Sequence, residues 1–207
     1  MWKRCRRSLK DKRDPVEFAK EQEIQAFLHQ ADAAGELKVY YFDAAGFSTT
    51  PCVPYAWQPK SDTLKLPSQR SKQLNILGFL HKNNEGFFYP HEGSVTSQVV
   101  IDAFEDFGQH YAEHYRQTKR PCIVIIDNAP VHTSAAFLKK REEWYSYGIG
   151  VHFLPAYSPE LNLIEILWRK MKYEWLPFTA YSNYQSLKSE VLNVLDQVGK
   201  KYTMTFS

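Results

Sequence analysis

The sequence is poor in cysteine, with three in 207 residues: Cys5, Cys52 and Cys122, odd in number and far apart. No two form a CxxC pair, which excludes both a disulfide framework and a zinc ribbon and implies a reducing compartment. Long apolar runs are also missing. The densest, Cys122 to Ile126, is a strand's length, so no segment spans a bilayer. The N-terminus is charged but no hydrophobic stretch follows it, which excludes a secretory signal. Internal repeats and low-complexity segments are absent too, which excludes solenoids and arrays.

What is present is enough for a core. The composition is 43% hydrophobic and 15% aromatic, so disorder is not the expectation, and the length suits one domain with an appendage. Net charge is only +3, but it is unevenly spread. The first thirteen residues carry seven basic groups, among them Arg4, Arg6 and Arg7, against the single acid Asp11. A basic arm on a near-neutral body suits a polyanion, nucleic acid first. A solvated tail is the plainer reading of the same run.

Along the chain, Asp14-Pro15-Val16-Glu17 reads as a helix start, with Ile24, Phe27, Leu28 and Ala31 at helical spacing and Gly35 at the end. Residues 1–36 are thus expected to be a basic arm and a linker helix, and 37–207 a single folded domain. Lys38 to Phe42 reads as a buried strand ending on Asp43, with a turn at Ala44-Ala45-Gly46. Prolines 51, 54, 59 and 67 break the next region. Gln73–Leu80 and Gly86–Tyr89 form a hairpin about Asn83-Asn84. Ser97 to Thr118 places Val100, Phe104, Phe107, Tyr111 and Tyr115 on one helical face. A strand over 122–126 follows, then a helix capped by Thr133 or Ser134 and a strand over 149–154. A helix from Glu160 to Trp175 comes next, and Ser182 with Gln185 makes a capping box for the last helix. Antiparallel strands followed by alternating helix and strand predict the α/β class, a mixed five-stranded sheet with helices on both faces.

Three acids stand out. Asp43 and Asp127 each end a strand-like run, and Glu165 lies at the edge of the buried stripe Leu161, Ile164, Trp168, Met171 and Trp175. Separately each has an ordinary reading, as a turn residue or an ion-pair residue. Together they predict a divalent-metal site, because hard cations take a few carboxylates and leave positions for phosphate oxygens and water. A pair of such ions can activate an attacking oxygen and stabilise a leaving one at phosphorus.

Several blocks carry a resemblance: Tyr41-Phe42-Asp43 with Gly46-Phe47, Pro54-Tyr55-Ala56-Trp57, Ile126-Asp127-Asn128-Ala129-Pro130-Val131-His132, and Ser158-Pro159-Glu160-Leu161-Asn162 leading to Glu165 and Trp168. Over about residues 36 to 195 the chain resembles the DDE transposases of the mariner-related insertion-sequence type, within the retroviral-integrase superfamily. The 37 residues between Asp127 and Glu165 fit that family's spacing. The resemblance implies a ribonuclease H-like fold, with Asp43, Asp127 and Glu165 as catalytic residues holding two Mg²⁺ or Mn²⁺ ions. It implies nicking at transposon ends and strand transfer by the freed 3′-hydroxyl on double-stranded DNA. A homodimer, a bacterial cytoplasmic setting near the nucleoid, and no membrane association go with it.

Asn128 and His132 are the supporting candidates, for orienting water or phosphate, with a satisfied turn residue as the equal alternative. Arg4, Arg6, Arg7, Lys60, Arg70, Lys72, Arg169 and Lys172 are the candidate phosphate contacts. Trp57 could stack on a base, though a core position suits a tryptophan better. The chain departs from the family at Ala44, Leu163 and Ile166, and nothing in it corresponds to the family's N-terminal helix-turn-helix region. That leaves an inactive, DNA-binding or dimerising remnant as the main rival. A stand-alone ribonuclease H-like nuclease, which would cut without joining strands, is another. His110-x-x-Glu113-His114 matches an inverted zinc-peptidase signature, with a surface histidine pair as its plain reading.

Overall fold

A computed structural model describes residues 10–52 and 72–206. Its centre is a five-stranded mixed sheet of β1 (Lys38–Phe47), β2 (Leu74–His81), β3 (Gly86–Glu92), β4 (Cys122–Ile126) and β5 (Ile149–Phe153), in the order β3-β2-β1-β4-β5. The β1-β2 and β2-β3 pairs are antiparallel, and β1-β4 and β4-β5 are parallel. Around the sheet lie α1 (Pro15–Ala33), α2 (Ser97–Thr118), α3 (Ala135–Ser146), α4 (Ile164–Lys170) and α5 (Tyr184–Asp196). Among the described residues no helix is long and apolar enough to cross a membrane.

The central strands are nearly continuous apolar runs because helices cover both faces. Val39, Tyr41 and Ile125 face one core with Leu161, Ile164, Leu167, Trp168 and Met171 and the buried side of α5. Tyr40, Phe42, Val124 and Ile126 face the other, with Phe104, Phe107, Phe137 and Trp144 from α2 and α3. The period-two alternation thus assigns each strand residue to one layer or the other.

Four sequence expectations are corrected. First, Ala44-Ala45-Gly46 is not a turn: β1 continues through it, paired with Leu77, Ile76 and Asn75 of β2. Asp43 therefore lies inside a strand, two residues past its last pair with β4, Tyr41 with Ile125. Second, the expected helix from Glu160 is broken into a 3₁₀ turn (Pro159–Leu161), an extended Asn162, α4 and a π-helical turn (Met171–Trp175). Third, α5 is capped by Asn183, whose side chain accepts from the Ser186 amide, rather than by a Ser182 capping box. Fourth, only half of the apolar stripe of α1 packs inward: Leu28 and Ala31 do, with Phe18 beside them, and polar residues share that face. Ile24 and Phe27 are exposed, while Glu21, Gln25 and Ala31 are buried.

Polar groups dock α1. Glu21 pairs with His152 at 2.8 Å, Gln25 donates to the Leu161 carbonyl, and Asp32 accepts from Arg120. Arg120 also donates to the carbonyls of Leu37 and Asp32.

Candidate active site

The last β1-β4 pair is Tyr41 with Ile125, two residues before Asp43 and Asp127, and the Asp127 charge is near enough to raise the Asp43 carboxyl. Side chains repeat every second residue along β1, so Asp43 continues the face of Tyr41, the layer that α4 covers and from which Trp168 reaches it. Because β4 ends at Ile126 while β1 runs on beside β2, a cleft opens at this point. Asp43, Asp127 and Glu165 all line it, together with Asn128, Tyr157 and Asn162, around a cavity of about 360 Å³.

Each carboxylate has its own environment. Burial, reinforced by the nearby charge of Glu165 and then of Asp127, pushes the Asp43 carboxyl up to about 7. Trp168 Nε1 donates to Asp43 Oδ2 at 3.1 Å. Asp127 is also raised by burial, but the His132 bond and the Ala129 N–H outweigh it and hold the carboxyl below its usual range. His132 Nδ1 lies 2.6 Å from Asp127 Oδ1, and the ring is buried against Phe42 and Phe137. Burial raises Glu165, with Lys172 partly offsetting it and Asp127 adding to it.

Like charges at one cavity wall, one of them shifted to about 7, are an environment that a divalent cation relieves. The donors are oxygens only, which suits Mg²⁺ or Mn²⁺ rather than zinc. Among the described residues no three acidic, histidine or cysteine side chains close into a ready-made metal-ligating group. Instead each of the two aspartates is turned toward its own hydrogen-bond donor.

Asn128 donates to the Leu154 carbonyl at 2.5 Å, tying the turn after β4 to the segment after β5. Lys172 packs over Phe47 at 5.3 Å, close enough to Glu165 to lower its pKa. Arg169 is exposed on α4. Lys72 is exposed before β2 near Tyr184 and Glu92, and lines a different cavity from the acids. Arg4, Arg6, Arg7, Lys60, Arg70 and Trp57 lie outside the described residues. The zinc-peptidase alternative is not assembled: His110 lies against Phe87, His114 against Tyr111, and Glu113 bonds Arg116 and Gln117.

Sequence reasoning missed Gly78 and Tyr157, and it placed Asn162 and Trp168 in the block that carries the resemblance, Trp168 also in the core, without giving either a role at the site. Gly78 pairs with Asp43 across β1-β2, and a Cβ there would sit 2.8 Å from the Trp168 ring and 2.9 Å from Ile164. Tyr157, on the cavity rim, holds a left-handed backbone at φ 60° with an exposed ring. The available signal was spacing: Asn162 and Trp168 lie three residues either side of Glu165.

Residues 38–188 match a family model described as DDE superfamily endonuclease. The insertion element IS630 uncharacterized 39 kDa protein of Shigella sonnei is 25% identical over 177 residues, covering 83% of this chain and 47% of that protein. The chain therefore spans about half the length of this curated relative. Among solved structures, the Mos1 mariner paired end complex with Mn superposes with a TM-score of 0.64 at 14% identity, over 95% of this chain and 59% of that one. The catalytic domain of Mos1 mariner transposase superposes with a TM-score of 0.56 at 14% identity, over 94% of this chain and 85% of that one. The fold is accordingly ribonuclease H-like.

Proposed function

The chain belongs to the DDE superfamily endonucleases, and from that membership we propose that it is the catalytic portion of a DNA transposase. It hydrolyses a phosphodiester at transposon ends and joins the freed 3′-hydroxyl to target DNA. The observation that supports this reading is that Asp43, Asp127 and Glu165, from three separate segments, line one cavity just past the end of β4.

Asp43, Asp127 and Glu165 would hold two Mg²⁺ or Mn²⁺ ions. Such ions supply Lewis-acid activation of the attacking oxygen and neutralise charge on the leaving one. The protein's own part is positional. His132 fixes one oxygen of Asp127, Asn128 anchors the turn that carries it, and Lys172 offers a cation beside Glu165. Structural relatives include Mos1 complexes described with Mn or with Mg and as paired-end assemblies. That likeness supports divalent metal and transposon-end DNA for this chain; we extend the reading to double-stranded DNA, to a homodimer with one copy per end, and to a cytoplasmic setting in a bacterium.

The test begins with Mn²⁺ titration calorimetry in the presence of a short DNA duplex, comparing wild type with Asp127→Asn. We expect binding in the wild type and its loss in the variant. Nicking of supercoiled plasmid and strand transfer from pre-cleaved ends follow, each dependent on Mn²⁺ and absent in Asp127→Asn. Full DNA binding with no metal-dependent cutting in either protein would sink the reading in favour of an inactive remnant. Nicking without strand transfer would instead identify a plain nuclease.

A further inference from the structure

Glu165 reaches the site from a helix that follows a 3₁₀ turn and an extended residue, so something must fix that helix against β1. Two side chains do so, one on each side of Glu165. Asn162 Nδ2 donates at 2.9 Å to the carbonyl of Phe42, the residue immediately before Asp43. The Asn162 carbonyl in turn accepts the Glu165 amide at 3.1 Å. A continuous chain of hydrogen bonds therefore runs from the β1 backbone through one residue to the backbone of Glu165. Three residues beyond Glu165, Trp168 Nε1 donates to Asp43 Oδ2 at 3.1 Å, with its ring in the space that Gly78 leaves open.

The remaining polar atom of Asn162 clarifies its role. Oδ1 is buried and has no hydrogen-bond partner among the described residues, and turning the amide over would set it against the Phe42 carbonyl, acceptor facing acceptor. The side chain is thus held for one bond, the donation to β1, even though its other end is left unsatisfied at a cost.

We propose that Asn162 and Trp168 are positioning residues that clamp α4 to β1 and set the spacing of Asp43 and Glu165 for a divalent cation. This rests on the metal-site reading above. Each residue acts on the cation only through the carboxylate it positions, as supporting hydrogen bonds commonly do in metal sites. Because both set the same spacing, their effects are coupled and less than additive.

The experiment measures Mn²⁺ affinity by calorimetry with a short duplex present, in wild type, Asn162→Ala, Trp168→Phe and the double variant. Asn84→Ala is the control. It removes bonds to the Met204 backbone in the β2-β3 hairpin, away from the site, and should lower Tm without touching the cation. We expect each single variant to bind Mn²⁺ roughly 10- to 100-fold more weakly. The double variant should lose less than the product of the two, and nicking should recover as Mn²⁺ is raised. Asn84→Ala should bind as wild type does. If Asn162→Ala fails to fold, Trp168→Phe carries the same comparison. Single variants within twofold of wild type, with Tm lowered as in the control, would show a purely structural role and overturn the proposal. Absence of Mn²⁺ binding in the wild type would overturn the metal-site reading itself, and this inference with it.

Discussion

Asp43 sits where a strand loses one neighbour and keeps the other, and its chemistry follows from that position. It is buried enough to be pushed up to about 7, yet it lines a cavity shared with two further acids. His132 does for Asp127 what Trp168 does for Asp43, with a ring packed on Phe42. We expect His132→Phe, which retains an aromatic ring and loses the bond, to reduce metal-dependent nicking roughly 10-fold or more at unchanged DNA affinity. Gel-shift and nicking assays on the same preparation check this. A second residue-scale prediction concerns Glu85. Burial raises its pKa, but bonds from Lys38 and Tyr40 outweigh it and hold the carboxylate at about 2. Its folded pKa therefore lies below its unfolded one, so its stabilisation is present above about pH 4.5 and is lost as pH falls toward 2. Thermal melts between pH 2 and 5 should show a shallower acid loss in Glu85→Gln than in wild type.

At the scale of elements, the segment from Ser158 to Trp175 differs most from a plain reading of its pattern. The stripe Leu161, Ile164, Trp168 and Met171 is buried as the spacing predicts. The helix nonetheless breaks at Asn162, because that side chain is bonded to β1, a partner 120 residues away that no local pattern contains. Gly78 shows the same dependence. Gly78→Ala should destabilise by about 1–3 kcal/mol, since the added methyl meets a ring and an isoleucine rather than solvent. It should also weaken Mn²⁺ binding by displacing Trp168, and urea melts with a parallel titration measure both. The capping correction at α5 is equally testable. Asn183→Ala should cost about 1 kcal/mol, whereas Ser182→Ala should stay within about 0.5 kcal/mol. Equal losses in denaturant unfolding would restore the capping box.

For the molecule as a whole, the decisive relation is how α1 meets the sheet. Its apolar stripe predicted a helix, and a helix is there, but the inward face is mixed: Phe18, Leu28 and Ala31 pack on the core while Glu21, Gln25 and Asp32 tie the helix down. We propose the boundary at residue 36 as a division between arm and catalytic body, and truncation tests it. A chain starting at residue 37 should melt lower than one starting at residue 10 by roughly 10 °C, given a loss of a few kcal/mol. Equal melting temperatures would mean that α1 is a dispensable linker.

The identity of most elements was legible in the sequence because local rules govern them: period-two and period-3.6 burial, the Asp14 cap, and the Asn83-Asn84 turn. The three acids were legible as a spacing of residue types, and their blocks carried the family resemblance. The sequence by itself therefore determined the layered α/β class and the candidate ligands. Only the tertiary structure decided that β1 outruns β4 at Asp43, that α4 is held by Asn162 and Trp168, and that α1 docks through polar bonds as well as apolar contacts. Those outcomes depend on hydrogen bonds and close contacts between residues 27 to 136 positions apart, whose energies no local periodicity encodes.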